Sequence, residues 1–117
     1  MEKLFDAELR LMEIIWEHGQ ISAKEISLIA AGRFGWNKNT TYTVIKRLIE
    51  KDVLCRDEPG FICSAKLEKA DLQKAETKTL IEKLFGGSRK AFFAAFSDDS
   101  LSADEVEALR SLIEKKD

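Results

Sequence analysis

Residues that interrupt helices are scarce in this sequence: one proline and six glycines occur among 117 residues. Long stretches are instead rich in Ala, Glu, Lys and Leu, which favour helix formation. Hydrophobic residues make up 44% of the chain and charged residues 34%, which is typical of a folded protein with a packed core and excludes a disordered tail. We therefore predict a mainly helical chain, either one domain of ordinary size or a small domain with an appendage.

Signals of membrane proteins, secreted proteins and enzymes are also missing. No apolar run approaches the roughly 20 residues that a membrane span needs. The N-terminal stretch MEKLFDAELR carries acidic residues where a signal peptide has an apolar core. No phosphate-binding glycine loop or metal motif is present, and the one histidine, His18, has no obvious acidic partner. We expect a cytoplasmic protein without membrane insertion, catalytic residues or cofactors.

The two cysteines, Cys55 and Cys63, are eight residues apart. A structural zinc site needs four Cys or His ligands, so we expect no metal and interpret both cysteines as small apolar fillers in a reducing compartment. A turn made of Pro59 and Gly60 alone would pair Cys55 with Ser64 and put the cysteines on opposite faces of a hairpin. A three-residue turn would place them directly across from each other, and the sequence leaves both registers open.

The first 67 residues are predicted to form a winged helix-turn-helix domain. Helix caps and a strong turn signal mark the boundaries of its elements: Asp6, Gly19, Ser22 with Glu25, Trp36, and Glu58-Pro59-Gly60-Phe61. The resulting order is three helices followed by a small β-hairpin, and in winged helices the third helix enters the major groove of DNA. The same architecture also serves in protein-interaction modules, so the order alone does not settle the function.

Residues 68–117 carry helical signals alone, and we predict a three-helix dimerisation region there. Its middle segment, RKAFFAAF, is apolar on nearly all sides and follows Gly86-Gly87. About 50 residues cannot bury so much apolar surface by themselves, and a two-fold homodimer is the economical solution. The residues expected at the dimer contact are Leu80, Leu84, Phe85, Phe92, Phe93, Phe96, Leu109 and Leu112.

The third predicted helix begins with poor helix formers, in the stretch WNKNTTYTVIKRL. If one face of this helix is buried, Asn39, Thr43 and Lys46 point outward, with Tyr42 on one flank and Thr40 and Arg47 on the other. Amides and threonine methyl groups can contact base edges, and cations bind phosphates. The alternative is that Asn39 or Thr40 only caps the helix and that the rest is a solvated face.

The positive charge of the chain is concentrated around this helix. The formal net charge is −2, but residues 33–51 hold five basic residues and one acidic residue, a local charge of +4. A local basic patch is what phosphate binding requires. We predict a homodimer that binds double-stranded DNA through Lys38, Asn39, Thr40, Tyr42, Thr43, Lys46, Arg47, Lys51 and, in the hairpin, Arg56.

The residues in and around the third helix resemble the penicillinase-repressor (BlaI/MecI) family. The match is carried by Trp36-x3-Thr40-x2-Thr43-Val44-Ile45-x-Arg47-Leu48-x2-Lys51-x-Val53-Leu54, by Trp16, and by the distal string Leu84-Phe85-Gly86-Gly87-Ser88. It covers about residues 5 to 116. It implies a homodimeric repressor of β-lactamase or related resistance genes, which binds dyad-symmetric operators with TACA/TGTA-type half-sites.

The resemblance also implies a membrane sensor-protease that cuts the repressor at an Asn-Phe bond in its C-terminal region. The matching position is Ala95-Phe96, where alanine replaces asparagine, so packing alone is the other interpretation of this site. Copper-responsive relatives carry cysteine pairs near the C-terminus. This chain has no cysteine after residue 63, and the remaining alternative signals are a small ligand or thiol oxidation.

Overall fold

The computed structural model describes residues 3–96 and 101–114, and over these residues the protein is mainly helical with a small antiparallel sheet. For Leu109 and for residues 112–114 the backbone alone is described. The chain divides into two compact units, Met1–Glu68 and Lys69–Asp117. The elements in order are α1 Asp6–His18, β1 Gln20–Ser22, α2 Ala23–Phe34, α3 Lys38–Glu50, β2 Leu54–Asp57, β3 Ile62–Ala65, α4 Lys69–Phe85, α5 Arg89–Phe96 and α6 Ala103–Glu114.

The first unit packs its three helices around one apolar core, which also includes one face of the sheet. The apolar residues of α1 recur at helical spacing, so that one side of the helix is fully removed from water. The most completely buried side chains of the unit are Leu11, Met12, Ile14, Ile15, Ile26, Ile45, Leu48, Leu54 and Cys63. This core fixes α3 against α1 and α2 and leaves its opposite side at the surface.

The helix starts of the first unit differ in one detail from the sequence prediction. Ser22 accepts a hydrogen bond from the backbone N–H of Glu25, at 3.1 Å, as the predicted cap of α2. The predicted cap of α1, Asp6, is instead the first helical residue, and the capping position belongs to Phe5. The Phe5 N–H donates to the Glu8 side chain at 2.8 Å, so a carboxylate three residues into the helix satisfies this donor.

The sheet has a third strand that the sequence analysis did not predict. The strand order is β1-β3-β2, and both pairings are antiparallel. Cys55 pairs with Ser64, and Arg56 pairs with Cys63, which is the register of a two-residue turn at Pro59-Gly60. Since neighbouring residues on a strand point to opposite faces, this register separates the two cysteines. Cys63 is buried in the core and Cys55 is half-buried.

The two cysteines are therefore expected to differ in reactivity. Burial raises the pKa of the Cys63 thiol from 9.0 to about 11, which lowers its thiolate fraction at neutral pH by about 100-fold. We expect iodoacetamide to alkylate Cys55 in the folded protein and Cys63 only after unfolding, as measured by mass spectrometry. A disulfide between Cys55 and Cys63, formed under mild oxidant while the protein stays folded, would contradict this register.

The second unit consists of α4, α5 and α6. Ile81 and Phe92 are buried, and Phe85 and Phe93 pack partly buried against them. Ser88 accepts from the Ala91 N–H at 3.0 Å and so caps α5. Of the predicted dimer-contact residues, Leu80, Leu84 and Phe96 are exposed at 41%, 71% and 39%. The side chains of Leu109 and Leu112 lie outside the described residues.

None of the helices in the described ranges is long and apolar enough to cross a lipid bilayer.

Candidate nucleic-acid interface

Helix α3 is capped by a residue that the sequence analysis did not select. The N-cap is Asn37, and its side-chain oxygen accepts a hydrogen bond from the Thr40 N–H at 2.8 Å. Asn39 and Thr40 lie in the first turn of the helix and are exposed. The alternative that Asn39 or Thr40 serves as the cap is thus wrong, and neither side chain is used to satisfy the helix end.

The two sides of α3 have opposite chemistry. Thr41, Val44, Ile45 and Leu48 are buried, as the helical wheel predicts. The exposed residues from position 38 to position 47 carry amide, hydroxyl and cationic groups, and they are Lys38, Asn39, Thr40, Thr43, Lys46 and Arg47; the acidic Glu50, at the end of the helix, is also exposed. We call these six residues the outer face of α3. They include six of the nine residues predicted to contact DNA.

The two threonines in the middle of α3 have different roles. Thr41 is fully buried, and its hydroxyl donates to the Asn37 carbonyl at 3.3 Å. Thr43 is exposed, and its hydroxyl donates to the Asn39 carbonyl at 2.8 Å. Because this bond uses the hydroxyl hydrogen, the Thr43 side chain has a methyl group and an accepting oxygen left for a ligand. A methyl group suits contact with the methyl group of thymine.

The cations of the outer face remain at the surface. The ion pairs found in the described part of the chain include none made by Lys38, Lys46 or Arg47. The Lys38 ammonium lies 5.7 Å from the centre of the Tyr42 ring. Exposed ammonium and guanidinium groups beside polar side chains are the combination that binds a phosphate backbone next to base edges.

Two of the basic residues counted in the local charge are used elsewhere. Arg33 forms an exposed pair with Glu17 at 2.8 Å. Lys51, predicted to contact DNA, has a largely buried side chain whose ammonium lies 2.7 Å from the carboxylate of Glu8. The structure therefore does not bring Lys51 together with the outer face, because its charge is turned toward α1. The local charge available around α3 is smaller than +4.

The turn between β2 and β3, which we call the wing tip, is held together by Arg56, Glu58 and Phe61. The Arg56 guanidinium donates to Glu58 at 2.6 and 2.9 Å and lies 3.6 Å from the Phe61 ring centre. The Phe61 N–H donates to the same carboxylate at 2.9 Å. The hydrogen bonds from Arg56 and from Phe61 lower the pKa of Glu58, so this carboxylate stays ionised to a lower pH than an ordinary glutamate.

Tyr42 links α3 to this wing tip. Its ring meets the Phe61 ring edge to face, with centroids 5.7 Å apart and planes at 84°. Tyr42 is half-buried, so its ring is a contact between two predicted DNA-binding elements as well as a flank of the outer face.

Lys66, which follows β3, pairs with Asp52 at 2.6 Å. Sequence reasoning missed the roles of Asn37, Glu58 and Phe61, although Asn37 and Glu58 act on residues two or three positions away; only the contact of Phe61 with Tyr42 depends on a partner placed by the fold.

Comparison with known proteins gives consistent results over nearly the whole chain. The family model described as Penicillinase repressor matches residues 4–115. The Penicillinase repressor of Bacillus licheniformis is 25% identical over 116 residues, covering 97% of this chain and 91% of that protein. The methicillin resistance regulatory protein MecI of Staphylococcus aureus (strain N315) is 30% identical, with coverages of 97% and 95%.

One solved structure extends the comparison to three dimensions. The solution structure of the DNA binding domain of the repressor BlaI superimposes with a TM-score of 0.55 at 30% sequence identity. The match covers 61% of this chain and 93% of that domain.

Proposed function

This chain belongs to the penicillinase repressor (BlaI/MecI) family of DNA-binding transcriptional repressors, and we propose that it acts as a homodimer on a dyad-symmetric operator. In this proposal the first unit binds DNA and the second unit dimerises. The observation that carries the proposal is the outer face of α3, which is exposed, polar and cationic from Lys38 to Arg47. The family consists of transcription regulators and not of enzymes.

We propose that α3 reads bases with the two residues at the centre of its outer face. Asn39 offers an amide that can pair with adenine, and Thr43 offers a methyl group for thymine. Lys38, Lys46 and Arg47 then neutralise phosphates on either side of these bases. The Thr40 hydroxyl donates to a phosphate oxygen of the DNA backbone. Arg56 supplies a phosphate contact from the wing tip, and Tyr42 holds the wing tip against α3.

The dimer is proposed from the exposed apolar residues of the second unit. Leu80 and Leu84 are one helical turn apart on α4, and Phe96 ends α5. Their exposure supports a contact with a second copy, because large apolar side chains clustered at a surface mark interaction sites. Phe92 belongs to the internal core of the unit, and Phe85 and Phe93 pack partly buried against it. In the proposed dimer these three residues stabilise the unit that carries the exposed surface.

We propose β-lactamase or related resistance genes as the regulated genes, since the relatives are named for penicillinase and for methicillin resistance. A membrane sensor-protease acting at Ala95-Phe96 is proposed as the route of induction. Both residues are exposed at the end of α5, but the Phe96 ring also lies 5.1 Å from that of Phe92. That contact supports the other interpretation of this site, in which Phe96 only packs.

The proposal predicts a strong dependence of DNA affinity on salt. The three outer-face cations and Arg56 in each protomer give about eight phosphate contacts in a dimer, and hence a slope of log K against log salt of about −7. Affinity should fall by about 10,000-fold between 50 and 200 mM salt. Fluorescence anisotropy with a labelled duplex measures this slope. A slope shallower than about −2 would contradict binding through the outer faces of two protomers.

A further inference from the structure

A buried ion pair joins the beginning of α1 to the end of α3. The Lys51 ammonium lies 2.7 Å from Glu8 Oε1, and the two side chains are exposed at only 13% and 2%. The pairs Arg33–Glu17 and Lys66–Asp52, by contrast, lie at the surface. Lys51 is the C-cap residue of α3 and Glu8 is in the first turn of α1, so this pair connects two helix ends that are far apart in sequence.

Both charged groups of the pair are held by further contacts. The Lys51 ammonium also donates to the Lys3 carbonyl at 2.8 Å and lies 4.7 Å from the centre of the Phe5 ring. Glu8 Oε1 also accepts from the Phe5 N–H at 2.8 Å. An acidic group near a helix start and a cation at a helix end are each favoured by the helix dipoles. The pair is therefore fixed in direction as well as in distance.

Stability alone is a poor explanation for this arrangement. Moving two charges out of water is costly, and a buried pair often stabilises a fold no more than apolar residues of the same size. The second carboxylate oxygen, Glu8 Oε2, is buried without a hydrogen-bond partner in the part of the chain that the structure describes. The best-attested benefit of such buried polar pairs is that they fix one register between elements.

The pair fixes the position of α3 relative to α1. Apolar contacts alone would define this position less strictly, because they are non-directional. Asn39 and Thr43 precede Lys51 by about 18 and 12 Å along the helix. A slide of α3 by about 1 Å along its axis would break the contact of Lys51 with Glu8 and would move Asn39 by the same distance, more than the roughly 0.5 Å range of hydrogen-bond distances. We infer that Glu8 and Lys51 are positioning residues for sequence recognition, an inference that rests on the proposed reading of DNA by α3.

The inference is tested on the full chain with the double substitution Glu8→Leu and Lys51→Met, which leaves no unpaired buried charge. The probes are a duplex that the wild-type protein enriches from a random library and a scrambled duplex of the same composition. We expect the ratio of the two affinities to fall by about 10-fold to 100-fold, as when one base contact is lost. The affinity for the scrambled duplex and its salt slope should stay unchanged.

Two further variants complete the experiment. Glu17 lies on α1, as Glu8 does, and forms an exposed ion pair with Arg33 of α2. Glu17→Gln breaks this ion pair and should leave the affinity ratio at the wild-type value. Glu8→Gln combined with Lys51→Met also leaves no buried charge and keeps an acceptor for the Phe5 N–H, so it carries the test if circular dichroism shows the first double variant to be unfolded. Its affinity ratio should fall in the same direction but by a smaller factor.

Three results would overturn the inference. An unchanged affinity ratio together with a lower unfolding midpoint would give the pair a structural role only. An equal loss of affinity for both duplexes, with a shallower salt slope, would make Lys51 a phosphate ligand. An unchanged ratio in the Glu8→Gln and Lys51→Met variant would overturn it where the Glu8→Leu and Lys51→Met variant is unfolded. Thr43→Ala, measured beside them, separates the two proposals, because an unchanged ratio there contradicts the reading role of α3 itself.

Discussion

Replacing Leu84 by aspartate is expected to convert the proposed dimer into monomers and to lower operator affinity by at least about 100-fold. A charge at the centre of an apolar contact would lose its water without gaining a partner. Once the two protomers separate, each half-site is bound independently. The increase in affinity of about 10²-fold to 10⁴-fold that comes from linking the two binding events is then lost. Leu84 is the most exposed of the candidate dimer residues whose side chains the structure describes, so its own unit does not need the side chain for its core.

Light scattering coupled to size exclusion and anisotropy titration measure these two effects. Wild-type protein should have twice the chain mass of 13.3 kDa, and Leu84→Asp should have the single mass. Glu82→Lys is the control, since it changes the charge about 200° around the same helix. A Leu84→Asp protein that stays dimeric with wild-type affinity would place the dimer contact elsewhere.

Replacing Thr43 by alanine is expected to erode sequence discrimination, whereas replacing Lys46 by alanine should weaken binding to all sequences. Loss of one base contact costs about 1–3 kcal/mol of discrimination, roughly 5-fold to 150-fold. Loss of one phosphate contact lowers affinity for every duplex and makes the salt slope shallower by about one for each protomer. The two variants thus separate reading from phosphate binding on one helix.

Thr79→Ala is a matched control for Thr43→Ala. Thr79 is also exposed on a helix, and its hydroxyl also donates to the carbonyl four residues earlier, at 3.1 Å. Thr79→Ala therefore removes the same groups from a helix of the second unit, and it should leave the affinity ratio unchanged. Gel shifts with the enriched and scrambled duplexes measure both variants. An intact preference in Thr43→Ala would contradict its assignment as a reading residue.

Local chemistry in the sequence was sufficient to predict the helix order and the two sides of α3. A buried apolar stripe such as Val44, Ile45 and Leu48 repeats with the helix period, so the residues between its members must face outward. The caps at Ser22 and Ser88 are equally local, since the donor and the acceptor are three residues apart. These features need no knowledge of distant parts of the chain.

Apart from the local caps at Phe5 and Asn37, the features that the sequence did not reveal depend on distant partners. β1 has only three residues, and it is a strand because β3 lies beside it. Lys51 looks like one more cation of α3 until the fold brings in Glu8, 43 residues earlier. Tyr42 likewise has its ring against Phe61 of the wing tip. In each case a tertiary contact decides the role of a residue whose local pattern fits a simpler interpretation.

The most direct test of the proposed function is to select duplexes from a random library with the full-length protein and to sequence them. A homodimer that reads DNA through two copies of α3 should enrich a motif with two inverted half-sites. Their centres should be separated by about 10 base pairs or a multiple of that distance. Enrichment of a single, unpaired half-site, or of no motif at all, would contradict a dimeric repressor that reads its operator with the outer face of α3.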